Sequence, residues 1–255
     1  MVLQYPAVSI VIATYERLSH LKRCLERVRA NVSITHELIV VAGGSDGSAE
    51  WLKTQPGVHA IVEKKRQGAT RAYNEGFRAA RGKYVMWLND DSYPLPGAIE
   101  AAVEMIERPS LGNVGMIAFY HNEDRERNKL DTIEYQGEKY SIYNVRGIPY
   151  ANFGLLPREL LARLGYLDER YYFCAWDPDL SLKVQREAGL QVVGCRQALI
   201  HHDEVHDERK LGDSAAADED NRKLFAKWQL PEKFSYGDPA PAYRAMVRQM
   251  ALAES

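Results

Sequence analysis

Short apolar runs alternating with helical stripes organise the first hundred residues. VSIVIA (residues 8–13), ELIVVA (37–42), VHAIVE (58–63) and KYVMWL (83–88) are apolar and rich in β-branched residues. Such runs are expected of strands covered on both faces. Between them lie amphipathic stretches. From about Ser19, Leu21, Leu25 and Val28 fall on one stripe while Lys22, Arg23, Glu26 and Arg27 fall opposite, the signature of a surface helix. Further helices are expected at residues 49–53, 70–80 and 96–107, the last with proline near its start. Strand and helix in alternation predict a parallel sheet covered by helices, and in such sheets ligands bind beyond the carboxyl ends of the strands. Three polar clusters fall at those ends: Thr14-Tyr15-Glu16-Arg17, residues 43–48 and residues 89–92.

The pattern changes after Pro109. Residues 113–119 predict another strand, and HNEDRERNKLDTIEYQGEKY a charged surface excursion or hairpin. Helices are expected at 157–164 and 179–188 and a strand at 190–195. Residues 206–220, polar and rich in Asp, Glu and Ala, read as a mobile loop, and 221–255 as helical segments. No internal repeat or low-complexity tract is present.

Composition narrows the function classes. The 255 residues are 45% hydrophobic and 27% charged with a formal net charge of -2, which is ordinary for a globular protein and gives no electrostatic case for a nucleic-acid partner. Cys24, Cys174 and Cys195 are far apart and lack metal-ligand spacing, so they are expected as buried thiols in a reducing cytoplasm. No signal peptide or run of about 18 apolar residues is visible, so the chain is expected to be soluble, with peripheral membrane contact left open.

The chemistry concentrates in YVMWLNDDSYPLPGAIEAAV, where an apolar strand ends in Asn89-Asp90-Asp91. Adjacent carboxylates at such a position repel and are costly to desolvate. Read from the residues alone, they form either a solvated, capped turn or a site for a divalent cation that grips a diphosphate; hard oxygen ligands suit Mg²⁺ or Mn²⁺.

The order VSIVIATYER, a Gly/Ser/Asp turn, GATRAYNEGFRAARGKYVMWLNDDSYPLPGAIEAA, then GLLPRELLARLGYLDERYYFCAWDPDLSLKVQREAGLQVV and ALIHH resembles the inverting family 2 glycosyltransferases of the GT-A fold, over roughly residues 7–205. The resemblance implies an α/β, Rossmann-like, mostly parallel sheet with an acceptor-binding second half. It divides one continuous domain into a nucleotide-sugar-binding half (1–110), an acceptor-binding and catalytic half (111–205) and a mobile loop with a helical tail (206–255). It also implies transfer of a sugar from a nucleotide-diphosphate sugar, a UDP-sugar as first expectation, to a glycan, lipid-linked sugar or glycoprotein hydroxyl, with Mn²⁺ or Mg²⁺.

By the same resemblance Asp91 binds the metal, Asp90 contacts the ribose or the metal shell, and Asn89 stands at the first position of the acidic motif. His202, rather than its neighbour His201, matches the histidine that approaches the metal; alternation along a strand lets only one of the two enter the site. Thr14, Tyr15 and Glu16 match the loop around the nucleotide. Ala42 replaces an Asp that commonly reads the base, leaving Asp46 or Arg71 as substitutes. Asp177 matches the catalytic base. Trp176 replaces a Glu and is a candidate to stack on a sugar ring, Tyr171, Tyr172 and Phe173 are candidates to line an acceptor groove, and Asp179 is expected to cap the following helix. A second reading, a degenerate subunit that holds sugar nucleotide or glycan without turnover, rests on Ala42, Asn89 and Trp176. A nucleotidyltransferase is disfavoured because ATYERLSHLKR lacks a glycine-rich activation loop.

Overall fold

A computed structural model describes residues 5–122, 128–203, 205, 213–231 and 241–254. The expected strands form the first layer. β1 (Val8–Tyr15) pairs in parallel with β2 (His36–Gly43) on one side and β4 (Tyr84–Asn89) on the other, and β3 (Val58–Val62) flanks β2. α1 (Leu18–Asn31), α2 (Ser48–Leu52) and α3 (Ala69–Ala79) make the crossovers. α3 lies close on the sheet because Gly76 has no side chain; a Cβ there would sit 2.3 Å from Val11 Cγ1.

The second half departs from a parallel sheet. β5 (Ser92–Pro94) follows β4 directly and α4 (Ala98–Ile106) follows β5, so the acidic residues join two strands rather than a strand and a helix. β6 (Val114–His121) precedes a hairpin, β7 (Lys129–Tyr135) and β8 (Glu138–Val145), as the charged stretch predicts; residues 123–127 lie outside the described residues. β9 (Ile148–Tyr150), β10 (Gly154–Pro157) and α5 (Arg158–Arg163) follow. The helix expected at 179–188 is α6 (Trp176–Leu182) running into a π-helical turn, Lys183–Glu187. The strand expected at 190–195 is β11 (Gln191–His202), which continues through ALIHH. The main path of the sheet is β3-β2-β1-β4-β10-β6-β11-β5, with β10 antiparallel to both neighbours and β5 antiparallel to β11.

The expected loop at 206–220 is corrected over its last seven residues. α7 (Ser214–Trp228) already includes residues 214–220, while 206–212 lie outside the described residues; α8 (Pro241–Glu254) is the last described element. Among the described residues no helix is long and apolar enough to cross a membrane. Cys24 and Cys195 are buried and Cys174 half-buried, all unbridged. Trp176 does not face solvent. It packs against Tyr73 and Trp87 with centroids 4.7 and 5.5 Å away, inside the core; a large aromatic beside two others is held there by burial and ring geometry, so it is not offered to a sugar.

Candidate active site

Topology brings the acidic turn and the histidine together. β5 pairs with the end of β11, placing His202 opposite Ser92, and the Asp203 amide donates to the Asp91 carbonyl at 2.9 Å. Successive strand residues face opposite ways, and the pair divides accordingly. His202 turns inward, its Nε2 3.2 Å from Asp91 Oδ1, while the His201 ring stacks on Tyr93 at 5.0 Å with Nε2 3.3 Å from Asp203.

Asp90 and Asp91 are 4% and 3% exposed, so the turn is not solvated. Arg17, from the end of β1 and also buried, donates through Nη1 to Asp91 Oδ2 at 2.6 Å and Asp90 Oδ1 at 3.3 Å; its Nη2 donates to the Val205 carbonyl at 3.2 Å. Thr14 Oγ1 donates to the other oxygen of Asp90 at 2.8 Å. Burial alone would raise the Asp91 carboxyl, but the His202 hydrogen bond and the charges of His202 and Arg17 outweigh it and hold the group well below the usual carboxylate range. Burial, then the charges of Asp90 and Asp91, push the Cys24 thiol and the Tyr73 hydroxyl upward, and Asp177 is among the charges Tyr73 feels.

The other expected positions separate by task. Tyr15 lies beside Gly43 with the Arg66 guanidinium 4.5 Å over its ring. Glu16 adopts a left-handed backbone (φ 56°) and accepts from the Ser45 amide at 2.7 Å, locking the first loop to the second. Asp46 anchors two helices: its two oxygens accept from the amides of Leu18 at 2.6 Å and Ser48 at 3.0 Å, the starts of α1 and α2. Asn89 Oδ1 accepts from the Tyr73 hydroxyl at 3.0 Å and so fastens α3 to β4. Arg71 lines a cavity of about 430 Å³ with Glu63, Arg66 and Glu75, and pairs with Glu169 at 3.4 Å.

Asp177 occupies the first turn of α6, half-buried, just after Ala175 in a left-handed conformation (φ 65°). Asp179 is no helix cap. It is buried and accepts from Tyr171 Oη at 3.1 Å, Lys227 Nζ at 2.9 Å and Trp228 Nε1 at 2.7 Å, an anchor for α7. Tyr171 is therefore core; Tyr172 is exposed and Phe173 half-buried. Asp220, read from sequence as part of a loop, is fully buried and accepts from the amides of Tyr172, Phe173 and Cys174 at 2.9, 2.7 and 3.1 Å. It clamps the segment leading into Asp177.

Among the described residues no group of three His, Cys, Asp or Glu side chains gathers as a metal cage. Asp91 and His202 converge, and this pair could hold a divalent ion that takes its remaining oxygens from substrate phosphates. Arg17 would have to yield one oxygen of Asp91 to that ion.

Residues 9–165, more than half of the chain, match Glycosyl transferase family 2. The chain belongs to this family. A relative, the Uncharacterized glycosyltransferase YwdF of Bacillus subtilis (strain 168), is 25% identical over 241 residues, 91% of this chain and 85% of the relative. The Uncharacterized glycosyltransferase RP339 of Rickettsia prowazekii (strain Madrid E) is 25% identical over 193 residues, 72% of this chain and 60% of that protein. Among solved structures, the mannosyltransferase PcManGT of Pyrobaculum calidifontis, in complex with GDP-Man and Mn²⁺, aligns with a TM-score of 0.68 at 19% identity, covering 98% of this chain and 70% of the other. GalNAc-T7 with UDP, GalNAc and Mn²⁺ aligns with a TM-score of 0.61 at 14% identity over 97% and 55% of the two chains. The expected GT-A fold is thus borne out, and the family 2 chain described here is a glycosyltransferase.

Proposed function

We propose that this glycosyltransferase moves a sugar from a nucleoside-diphosphate sugar to a hydroxyl acceptor by one inverting displacement, with Asp177 as base and a divalent cation held by Asp91 and His202. The observation that carries the reading is the convergence of buried Asp90, Asp91, Arg17 and His202 at the carboxyl ends of β1, β4 and β11. The structural neighbours that hold Mn²⁺ with GDP-Man or with UDP support the same class of donor. Mn²⁺ or Mg²⁺, when bound, supplies positive charge to a departing diphosphate. Asp90, fixed by Thr14 and Arg17, is positioned to accept from a ribose hydroxyl. Asp177 takes the proton of the attacking hydroxyl as the new bond forms. Asp179 is buried and committed to Tyr171, Lys227 and Trp228, whereas Asp177 stands half-buried in the first turn of α6. The acceptor is a growing glycan, a lipid-linked sugar or a glycoprotein.

Asp177→Asn tests the reading. Calorimetry should find donor binding in the presence of Mn²⁺ unchanged, while transfer measured by product formation falls about 10²- to 10⁴-fold. NMR of the wild-type product should find the anomeric configuration opposite to that of the donor. Full transfer by the Asn variant, or retention of configuration, contradicts the mechanism.

A further inference from the structure

The nucleotide end of the site has an acceptor that the expected residues do not provide. Ala42, where a base-reading carboxylate is absent, is buried and carries only a methyl group. On the next strand the chain supplies one. The Glu63 amide donates to the Ala42 carbonyl at 2.9 Å, continuing the β2–β3 ladder one residue past Val62 and delivering the Glu63 side chain above Gly43. Gly43 makes the room: a Cβ there would lie 2.7 Å from Glu63 Oε2 and 3.0 Å from Tyr15 Cδ2. Glu63 Oε1 is buried and has no hydrogen-bond partner. An ionised carboxylate only accepts, and a buried acceptor left unsatisfied is costly, so the arrangement suits a ligand that donates.

Three features place a nucleobase there. The Tyr15 ring, with Arg66 over it at 4.5 Å, stands next to the carboxylate, a flat surface beside an acceptor edge. Arg66 is held in turn by Asp213 at 2.5 Å and lies 5.8 Å from the Tyr172 ring. From the end of β4, where Asp90 and Asp91 begin, to Glu63 beyond β3 there are three strand spacings, about 14 Å. That is the scale of an extended nucleoside 5′-diphosphate. Burial first, then the nearby charge of Glu75, pushes the Glu63 carboxyl upward against the opposing pull of the Gln67 amide and the Arg66 charge.

Resting on the proposed sugar-nucleotide site, we propose that Glu63 reads the base, accepting the ring N–H of uracil, thymine or guanine and turning away cytosine and adenine. The first three bases present a ring N–H at the Watson–Crick edge. Cytosine and adenine present a ring nitrogen lone pair at that position and donate only from the neighbouring exocyclic amine, so a carboxylate aligned on the ring nitrogen is repelled. A site built around such a bond discriminates strongly against ligands that cannot make it.

The experiment is calorimetric titration of UDP, GDP, dTDP, CDP and ADP, with Mn²⁺, into wild type, Glu63→Gln and Gly43→Ala. Wild type should prefer one of UDP, GDP or dTDP over CDP and ADP. Glu63→Gln should weaken that preferred nucleotide about 10- to 100-fold, the loss of a hydrogen bond to a charged group, and narrow the gap to CDP. Gly43→Ala, whose methyl displaces the Glu63 carboxylate, should act in the same direction. Inorganic pyrophosphate with Mn²⁺ should bind all three proteins alike. Undiminished binding and preference in Glu63→Gln, or a wild-type preference for CDP or ADP, overturns the assignment of Glu63 while leaving the donor site standing. No nucleotide binding by folded wild type overturns both.

Discussion

Adjacent aspartates as buried as Asp90 and Asp91 repel each other and lose their hydration, and at this strand end the compensating charge comes from Arg17. Removing one partner of a buried ion cluster leaves an uncompensated charge and costs about 3–5 kcal/mol. Arg17→Met should therefore lower the melting temperature of the metal-free protein sharply, and Mn²⁺ should raise it by more than in wild type because the ion replaces the lost charge. A variant that melts like wild type, with an equal Mn²⁺ effect, counters this role. Sequence order made Asp91 and His202 legible, since each ends an apolar run in a recognisable series. Arg17 was visible as a polar residue after β1, but its partners lie 73 and 74 residues away, and no local spacing reports such a contact. Asp46 and Asn89 show a different limit of local reading. Their side chains suit both ligands and turns, and here backbone amides and the Tyr73 hydroxyl bond to their oxygens.

At the scale of elements, α7 holds the segment leading into Asp177 in place. Its stripe is Asp220, Leu224 and Trp228, spaced by four, with a carboxylate as first member. A polar residue at the head of the buried stripe hides the helical period, which is why residues 214–220 read as loop despite their alanines. Asp168 joins the same assembly, accepting from Arg170 and from Lys227 Nζ at 3.0 Å. The Arg170 hydrogen bond first, then the one from Lys227, holds the Asp168 carboxyl well below its ordinary range despite partial burial. A depressed carboxylate stabilises the fold fully above its unfolded pKa, about 3.9, and that contribution is lost as pH falls toward the folded value. Asp168→Asn should thus be less stable than wild type at pH 7 in urea denaturation, with the gap closing only below about pH 4. A gap that stays constant down to pH 2 runs against the ion pair.

Across the whole molecule, the parallel half of the sheet was legible because its strands are apolar on both faces and its crossovers carry clear stripes. Two strands beyond it were not, because β5 has three residues and β10 four, too short to show a period, and each pairs antiparallel with distant strands. Yet those two strands build the site: β10 bridges β4 to β6, and β5 sets Asp91 against His202. That meeting point is the proposed place where a divalent cation and a nucleoside diphosphate bind together. The most direct measurement is calorimetric titration of UDP, GDP, dTDP and CDP, with and without Mn²⁺, into wild type and Asp91→Ala. The prediction is binding that requires Mn²⁺ in wild type and disappears in Asp91→Ala while the variant remains folded. Nucleotide binding indifferent to both the metal and Asp91, or no binding by the folded wild type, would contradict it.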